Sequence, residues 1–372
     1  MKHTSAYLNW YTHVPELRFD FRSSGIISFK YALNLGEVEL GANYAHGNPE
    51  TAKLLAQRYH AASENVFISS EGASGQNARI IRFLAEKNRK KNEAIVEYPT
   101  YEPLLRQAQE HFPHLKRLVR QEKQAYRLDA DVLRKIVSEK TALLVLTNPH
   151  APSGTIANAN EMKEIMNIAH EYDFCVVCDE IYAEFNRSLV PTVFSVDPQK
   201  GIVTTSFTKA YGLGGLKLGV ALAAKEIVDE LYVDVLNTVG NGSNVVQLIA
   251  TELLKKGKGE LEKHVLKWVR TKNETEKWLS EKEFEYYPSK VGLTYWVKLP
   301  IKDTYEWINE HAIPHCGLAA VPGTFFLFKN DYMLLKSNRI RLSLGGIDPS
   351  GSSLQEALEA LENAIDTFDT TR

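Results

Sequence analysis

From Asn65 onward, short apolar runs alternate with longer segments whose polar residues gather on one helical face, and this rhythm predicts the architecture. NVFISS (65–70) reads as a strand, followed by a helix from about Gly75 to Lys87. EAIVEY (93–98) precedes a helix near Glu102–Glu110, and TALLVLT (141–147) precedes one near Asn160–Tyr172. FCVVC (174–178) and GIVTTS (201–206) are further strands, and LKLGVALAA (216–224) returns after only a short glycine turn. Alternation of this kind predicts an α/β fold with a mainly parallel central sheet covered on both faces. The last strand has no room for a crossover helix and is expected to run antiparallel.

The charged stretch Lys255 to Lys282 reads as a long helical connection with a solvated face. Beyond it GLTYWVKLP (292–300), GLAAVPG (317–323) and IRLSLG (340–345) are strand-like and separated by helices, which predicts a smaller α+β domain. The expected division is an N-terminal arm that contributes to the small domain (1–40), a large domain (41–262) and a small C-terminal domain (263–372). At 372 residues the chain is long enough for two cores.

Composition narrows the partners. A formal net charge of −2 argues against nucleic acid or an acidic membrane surface. No apolar run approaches the ~20 residues that span a bilayer. The first twenty residues show neither a secretory apolar core nor an arginine-rich transit pattern, so a cytoplasmic location is expected. Three cysteines are too few for a disulfide scaffold. Cys175 and Cys178 form a C-x-x-C, but on a strand they point to opposite faces and are expected to be structural, with no metal.

Chemistry concentrates where strands end. In an open α/β sheet, ligands gather beyond the carboxyl ends of the strands. After GIVTTS, the residues Ser206, Thr208 and Lys209 come before Gly212, Gly214 and Gly215, which places an amine beside hydroxyls and exposed backbone N–H groups. After NVFISS, the small residues Gly72, Ala73 and Ser74 lead toward a helix N-terminus suited to a phosphate. After LLVLT comes Asn148 in a rigid proline-rich loop, and after FCVVC come Asp179 and Tyr182. A carboxylate at the end of so apolar a strand needs a positive partner. Carboxylate, amide, phenol, lysine and phosphate cradle together suit an aldehyde that bears a phosphate, a phenolic oxygen and a basic ring nitrogen. Pyridoxal 5′-phosphate has these features. Lys209 would take its aldehyde, Asp179 its ring nitrogen, Asn148 and Tyr182 its phenolic oxygen, and Tyr101 would stack on the ring.

Eight short segments in order carry a family resemblance: YAHGNPE (44–50), EGASG (71–75), EYPTYEPL (97–104), TNPHAPSGT (147–155), CDEIYAEF (178–185), SFTKAYGLGGLKLG (206–219), GLAAVPGTFF (317–326) and RIRLSLG (339–345). The chain resembles the class I/II aminotransferases, fold type I pyridoxal-phosphate enzymes. The resemblance implies that Lys209 is the Schiff-base lysine and general base, with Asp179 and Tyr182 as catalytic partners. It implies Gly72, Ala73, Ser74 and Ser206 at the phosphate and Tyr101 on the ring. Arg341 would grip the substrate α-carboxylate, with Gly25 and Asn148 also on the substrate side. Tyr44 would reach the partner subunit's phosphate, which implies a homodimer.

Three departures stand out. Lys217 occupies a position where the family usually has an arginine on the phosphate, and lysine lacks the bidentate fork. Ala151 stands where an asparagine is common, and the N-terminal arm is brief. The implied activity is transfer of an amino group from an amino acid to a 2-oxo acid by a ping-pong cycle. A lyase, decarboxylase or cyclising synthase on the same fold, or a non-catalytic relative, are the alternatives.

Overall fold

The computed structural model describes residues 5–26, 30–39, 41, 44–329, 334–349 and 352–368. Among them, in chain order, the strands are β1 Phe19–Phe21, β2 Val66–Ser69, β3 Glu93–Tyr98, β4 His114–Val119, β5 Thr141–Thr147, β6 Cys175–Asp179, β7 Gly201–Ser206, β8 Gly219–Leu222, β9 Tyr286–Tyr287, β10 Thr294–Lys298, β11 Leu318–Pro322 and β12 Arg339–Ser343. The first four helices are α1 Ala6–His13, α2 Pro49–Tyr59, α3 Gly72–Lys87 and α4 Glu102–His111.

The apolar runs form the large sheet, in the order β2-β8-β7-β6-β5-β3-β4. Only β8 runs against its neighbours, pairing antiparallel with β7 and β2, as its short glycine turn requires. The other six strands therefore share one direction, and their carboxyl ends meet at one edge. Residues of β5 and β7 are buried throughout, because helices cover both faces of a parallel sheet. Fully burying each such Val, Leu or Ile side chain contributes about 1.5–3 kcal/mol.

Two local features differ from the sequence reading. The strand β4, HLKRLV, has no apolar run; it lies at the sheet edge, where charged residues are tolerated and discourage strand addition. Its Lys116 pairs with Glu93 of β3 at 2.7 Å. Helix α3 begins at Gly72, not near Gly75, so the small residues form its first turn and not a loop before it. Gly72 has φ +67°, which a glycine adopts at no steric cost.

A second sheet has the order β1-β11-β12-β10-β9, antiparallel except for β1 beside β11. The N-terminal segment thus joins it through Phe19 opposite Leu318. The charged stretch is one helix, Lys258–Glu281, that buries Trp268, Thr271, Thr275 and Leu279 and exposes Lys263, Lys267, Arg270, Lys277 and Glu281. The division expected at 262/263 lies inside this continuous helix, and we propose that the helix links the layers built on the two sheets. Cys175 and Cys178 are both unpaired. No helix among the described residues is long and apolar enough to cross a membrane.

Candidate active site

The shared direction of the strands delivers the last residues of β5, β6 and β7 to one cavity of about 230 Å³. Register explains the convergence: Thr147 lies opposite Asp179, and Ser206 and Ser69 both lie opposite Gly219. Thr147, Asp179, Ser206, Thr208 and Lys209 all line the cavity. A larger open hollow of about 620 Å³ around Arg127 and Glu161 collects surface charge and none of these groups.

One wall is built for an anion. Gly72, Ala73 and Ser74 line it as the first turn of α3, where N–H groups have no intrahelical acceptor and the helix dipole is positive. The Gly72 N–H is taken by the Lys217 carbonyl at 2.7 Å. Lys217 adopts the left-handed conformation, φ +54°, unusual for a residue with a side chain. This turn sets its carbonyl on α3 while its exposed side chain also lines the cavity. Ser206 and Thr208 add hydroxyls, with Ser206 Oγ accepting from the Thr208 N–H at 3.3 Å. Glu71 also lines this wall, and Arg79 donates to both its oxygens, at 2.7 and 3.2 Å, which offsets a charge that would repel an anion.

Asp179 is buried, and burial raises its pKa; donation from the Ile181 N–H and Asn77, and the positive charge of Lys209, oppose the rise. Asn77 Nδ2 donates to Asp179 Oδ2 at 2.7 Å, the Ile181 N–H donates to Oδ1 at 3.0 Å, and Thr204 Oγ1 donates to Asn77 Oδ1 at 2.5 Å. The chain of donors fixes the carboxylate's orientation and favours its ionised form against the effect of burial. Asn77 was not legible as a site residue. The available signal is a pair of amides, Gln76 and Asn77, on the buried face of α3 among Ala73, Ile80 and Leu84.

Lys209 follows β7 in a turn packed against the N-terminal segment. A Cβ on Gly25 would lie 2.8 Å from Lys209 Cδ and 2.9 Å from its Cα, so only glycine fits there. The Ile26 N–H donates to the Lys209 carbonyl at 2.8 Å. Gly25 thus shapes the lysine, and its neighbour Ser24 lines the cavity. Burial, then the charge of Arg341, lowers the Lys209 pKa to about 8; Asp179 opposes this and Lys217 adds to it. A neutral amine is therefore accessible near physiological pH. The rate of covalent labelling of Lys209 by an aldehyde probe should rise with pH around a midpoint of about 8, well below the 10.5 of an ordinary lysine. A midpoint at the ordinary value would contradict this environment.

Arg341, on β12, is buried at the far wall. Its Nη2 donates to the Arg22 carbonyl at 2.8 Å and to the Tyr7 hydroxyl at 3.3 Å. Its Nε is buried with no hydrogen-bond partner among the described residues, which leaves a guanidinium edge to meet a carboxylate. Tyr101 and Tyr182 complete the lining, both with pKa raised chiefly by burial; Tyr182 also interacts with Ser24. Tyr7, from α1, is a lining residue that sequence reasoning did not find.

Three expected residues do not line the cavity: Gly25 backs Lys209, and Asn148 and Tyr44 lie elsewhere. Asn148 does not line the cavity: its Nδ2 donates to the Pro191 carbonyl at 2.9 Å and its Oδ1 accepts from the Ala157 N–H at 3.0 Å. The loop turns Ala151 into the wall in its place, held by the Ala151 N–H on Thr147 Oγ1 at 2.8 Å. Tyr44 is 38% exposed and outside this cavity. The remaining expected residues, Gly72, Ala73, Ser74, Tyr101, Asp179, Tyr182, Ser206, Lys209, Lys217 and Arg341, are brought together.

The profile of the family "Aminotransferase class I and II" matches residues 35–361, and the chain belongs to that family. The chain is 25% identical over 183 residues to a histidinol-phosphate aminotransferase of Methanococcus maripaludis, covering 49% of this chain and 48% of that protein. The aligned part thus spans about half the length of that curated relative. Among solved structures, a double mutant of Thermus thermophilus aspartate aminotransferase superposes with a TM-score of 0.79 at 17% identity, covering 97% of both chains. An aromatic aminotransferase of Pyrococcus horikoshii gives 0.76 at 19% identity, over 93% of this chain and 95% of that one. The fold is that of the fold type I aminotransferases, with one antiparallel strand in a mostly parallel sheet.

Proposed function

We propose that this chain is a pyridoxal-phosphate-dependent aminotransferase that moves an amino group from an amino acid to a 2-oxo acid by a ping-pong mechanism. The observation that carries the reading is the cavity that unites a lysine of lowered pKa, a buried carboxylate held by N–H donors, a helix N-terminus and an unsatisfied arginine edge. These groups fit the cofactor: the α3 N-terminus with Lys217, Ser206 and Thr208 for its phosphate, Asp179 for its ring nitrogen, Tyr101 for its ring and Tyr182 for its phenolic oxygen. When bound, pyridoxal phosphate supplies an aldehyde that captures amines and a ring that withdraws electrons from the substrate's Cα. Lys209 Nζ would be the group that holds that aldehyde and, as a free amine, the base for the proton on the substrate's Cα. Asp179 keeps a proton on the ring nitrogen, and Arg341 orients the substrate through its α-carboxylate.

The family membership and the names of the relatives support transfer of an amino group. A cytoplasmic homodimer completes the proposal, with exposed Tyr44 reaching the partner subunit's phosphate site. Titration of the apoprotein with pyridoxal phosphate, followed by borohydride reduction and peptide mapping, tests the cofactor. A single stable adduct on Lys209 is expected; no adduct, or one on a surface lysine, would overturn the reading.

Lys217 gives a graded test. Lys217→Ala should weaken pyridoxal phosphate binding by about 1.5–3 kcal/mol, the range for a charged hydrogen bond. Lys217→Arg should bind at least as tightly as the parent, because a guanidinium adds a second parallel donor. Unchanged affinity in the alanine variant would assign the phosphate to α3 and the hydroxyls alone.

A further inference from the structure

Helix α1 has eight residues, too short to persist on its own in water, and it carries Tyr7 to the edge of Arg341. What fastens it is a buried carboxylate 95 to 97 residues away in sequence. Glu102, 1% exposed, opens α4 directly after Tyr101. Its Oε2 accepts from Ser5 Oγ and from the Tyr7 N–H, both at 2.7 Å, and its Oε1 accepts from the Ala6 N–H at 3.0 Å. Ser5 Oγ in turn accepts from the Leu8 N–H at 3.1 Å. The first-turn donors of α1 are thus all taken, and a negative charge faces the positive end of the helix. Arg106 offsets the buried charge, its Nε donating to Oε1 at 2.8 Å.

The fastening has a direct consequence for the cavity. Tyr7 and Tyr101, whose backbones are both fixed by this carboxylate or its own residue, meet edge to face with centroids 5.8 Å apart. Both rings line the cavity, and Tyr7 also packs on Phe325 at 5.8 Å. We propose that Glu102 is a positioning residue that pins helix α1 over Arg341, so that Tyr7 forms a fixed wall met by the substrate as its carboxylate docks. Glu102 does not itself line the cavity. The proposal rests on the aminotransferase reading, because that reading places a substrate carboxylate on Arg341.

The test uses the full chain loaded with pyridoxal phosphate and the variant Glu102→Gln. Gln keeps the size of Glu but turns one acceptor oxygen into a donor that faces other donors. Amide exchange across residues 6–13 should quicken by about tenfold or more, since loss of charged hydrogen bonds lowers the local opening energy. For whichever of L-aspartate, L-glutamate, L-phenylalanine and L-tyrosine serves the parent, KM should rise about tenfold while kcat stays within about threefold, the pattern of lost uniform binding. Cofactor affinity should be retained. Tyr7→Phe keeps the ring and removes one hydroxyl, so it should raise KM with α1 exchange unchanged. It keeps the test open if Glu102→Gln does not fold.

Unchanged exchange of α1 in Glu102→Gln, unchanged KM in either variant, or an equal fall in kcat and in cofactor binding would overturn the proposal. A parent protein that takes up no pyridoxal phosphate would count against the functional reading instead. In that case the exchange rates of α1 would still decide whether Glu102 fastens the helix.

Discussion

Lys209→Ala is expected to abolish turnover, with kcat falling by roughly 10⁴-fold or more, while the fold and cofactor uptake persist. Both roles assigned to this residue, covalent capture and proton movement at Cα, reside in one amine, and proton transfer alone contributes about 10²–10⁴-fold. The fold should survive because the segment is held by its backbone: the Ile26 N–H bonds the Lys209 carbonyl, and this bond does not depend on the side chain. Gly25 leaves no room for a Cβ beside the lysine's Cα and Cδ, and the shorter side chain at 209 opens space and forces no clash. The anion wall of α3, Lys217, Ser206 and Thr208 is untouched, so pyridoxal phosphate should still bind, without a covalent link. Steady-state assays and equilibrium dialysis on the same preparation check both halves. Sustained multiple turnover in this variant would remove Lys209 from its role.

Asp179→Asn should cost on the order of 10²–10³ in kcat, the size seen when one preorganised electrostatic partner is removed. Its effect on cofactor affinity should be far smaller. The wild-type carboxylate accepts on both oxygens, from the Ile181 N–H and from Asn77 Nδ2. An amide at 179 can keep the Ile181 bond if Asn77 flips and offers its oxygen, and the Thr204 hydroxyl can then rotate to accept from Asn77. The network can therefore absorb the change, and the loss that remains is the negative charge opposite the ring nitrogen. A kcat near that of the parent at neutral pH would make Asp179 structural.

Much of this was legible because strands and their ends obey short-range rules. Runs such as TALLVLT and GIVTTS can only be buried strands, and the polar residue that ends each one, Thr147 or Ser206, marks the ligand edge. Lys209, Asp179 and Arg341 were singled out in this way or through the family resemblance, and they line one cavity. The misses have physical causes. The edge strand β4 needs no apolar run, since part of its surface faces solvent. Gly72 to Ser74 look like loop, but a glycine at φ +67° starts the helix there, three residues earlier than the small residues suggest.

Side-chain direction was less legible still. Asn148 and Ala151 lie three residues apart in one loop, and composition favoured the amide as the ligand group. The fold turns Asn148 onto Pro191 and Ala157, and gives Ala151 to the cavity. Tyr7 reaches Arg341 across 334 residues of sequence through a helix docked on Glu102, a tertiary arrangement that no local pattern encodes.

The most direct measurement of the central claim is a half-reaction on the loaded protein. The purified chain, carrying one pyridoxal phosphate per Lys209, is mixed with a panel of L-amino acids and no 2-oxo acid. The account predicts that at least one donor yields its 2-oxo acid in an amount equal to the sites, that bound pyridoxamine phosphate appears in step, and that added 2-oxoglutarate reverses the change. Continued product formation from the amino acid alone, with loss of carbon dioxide or a side-chain group and no pyridoxamine phosphate, would contradict it.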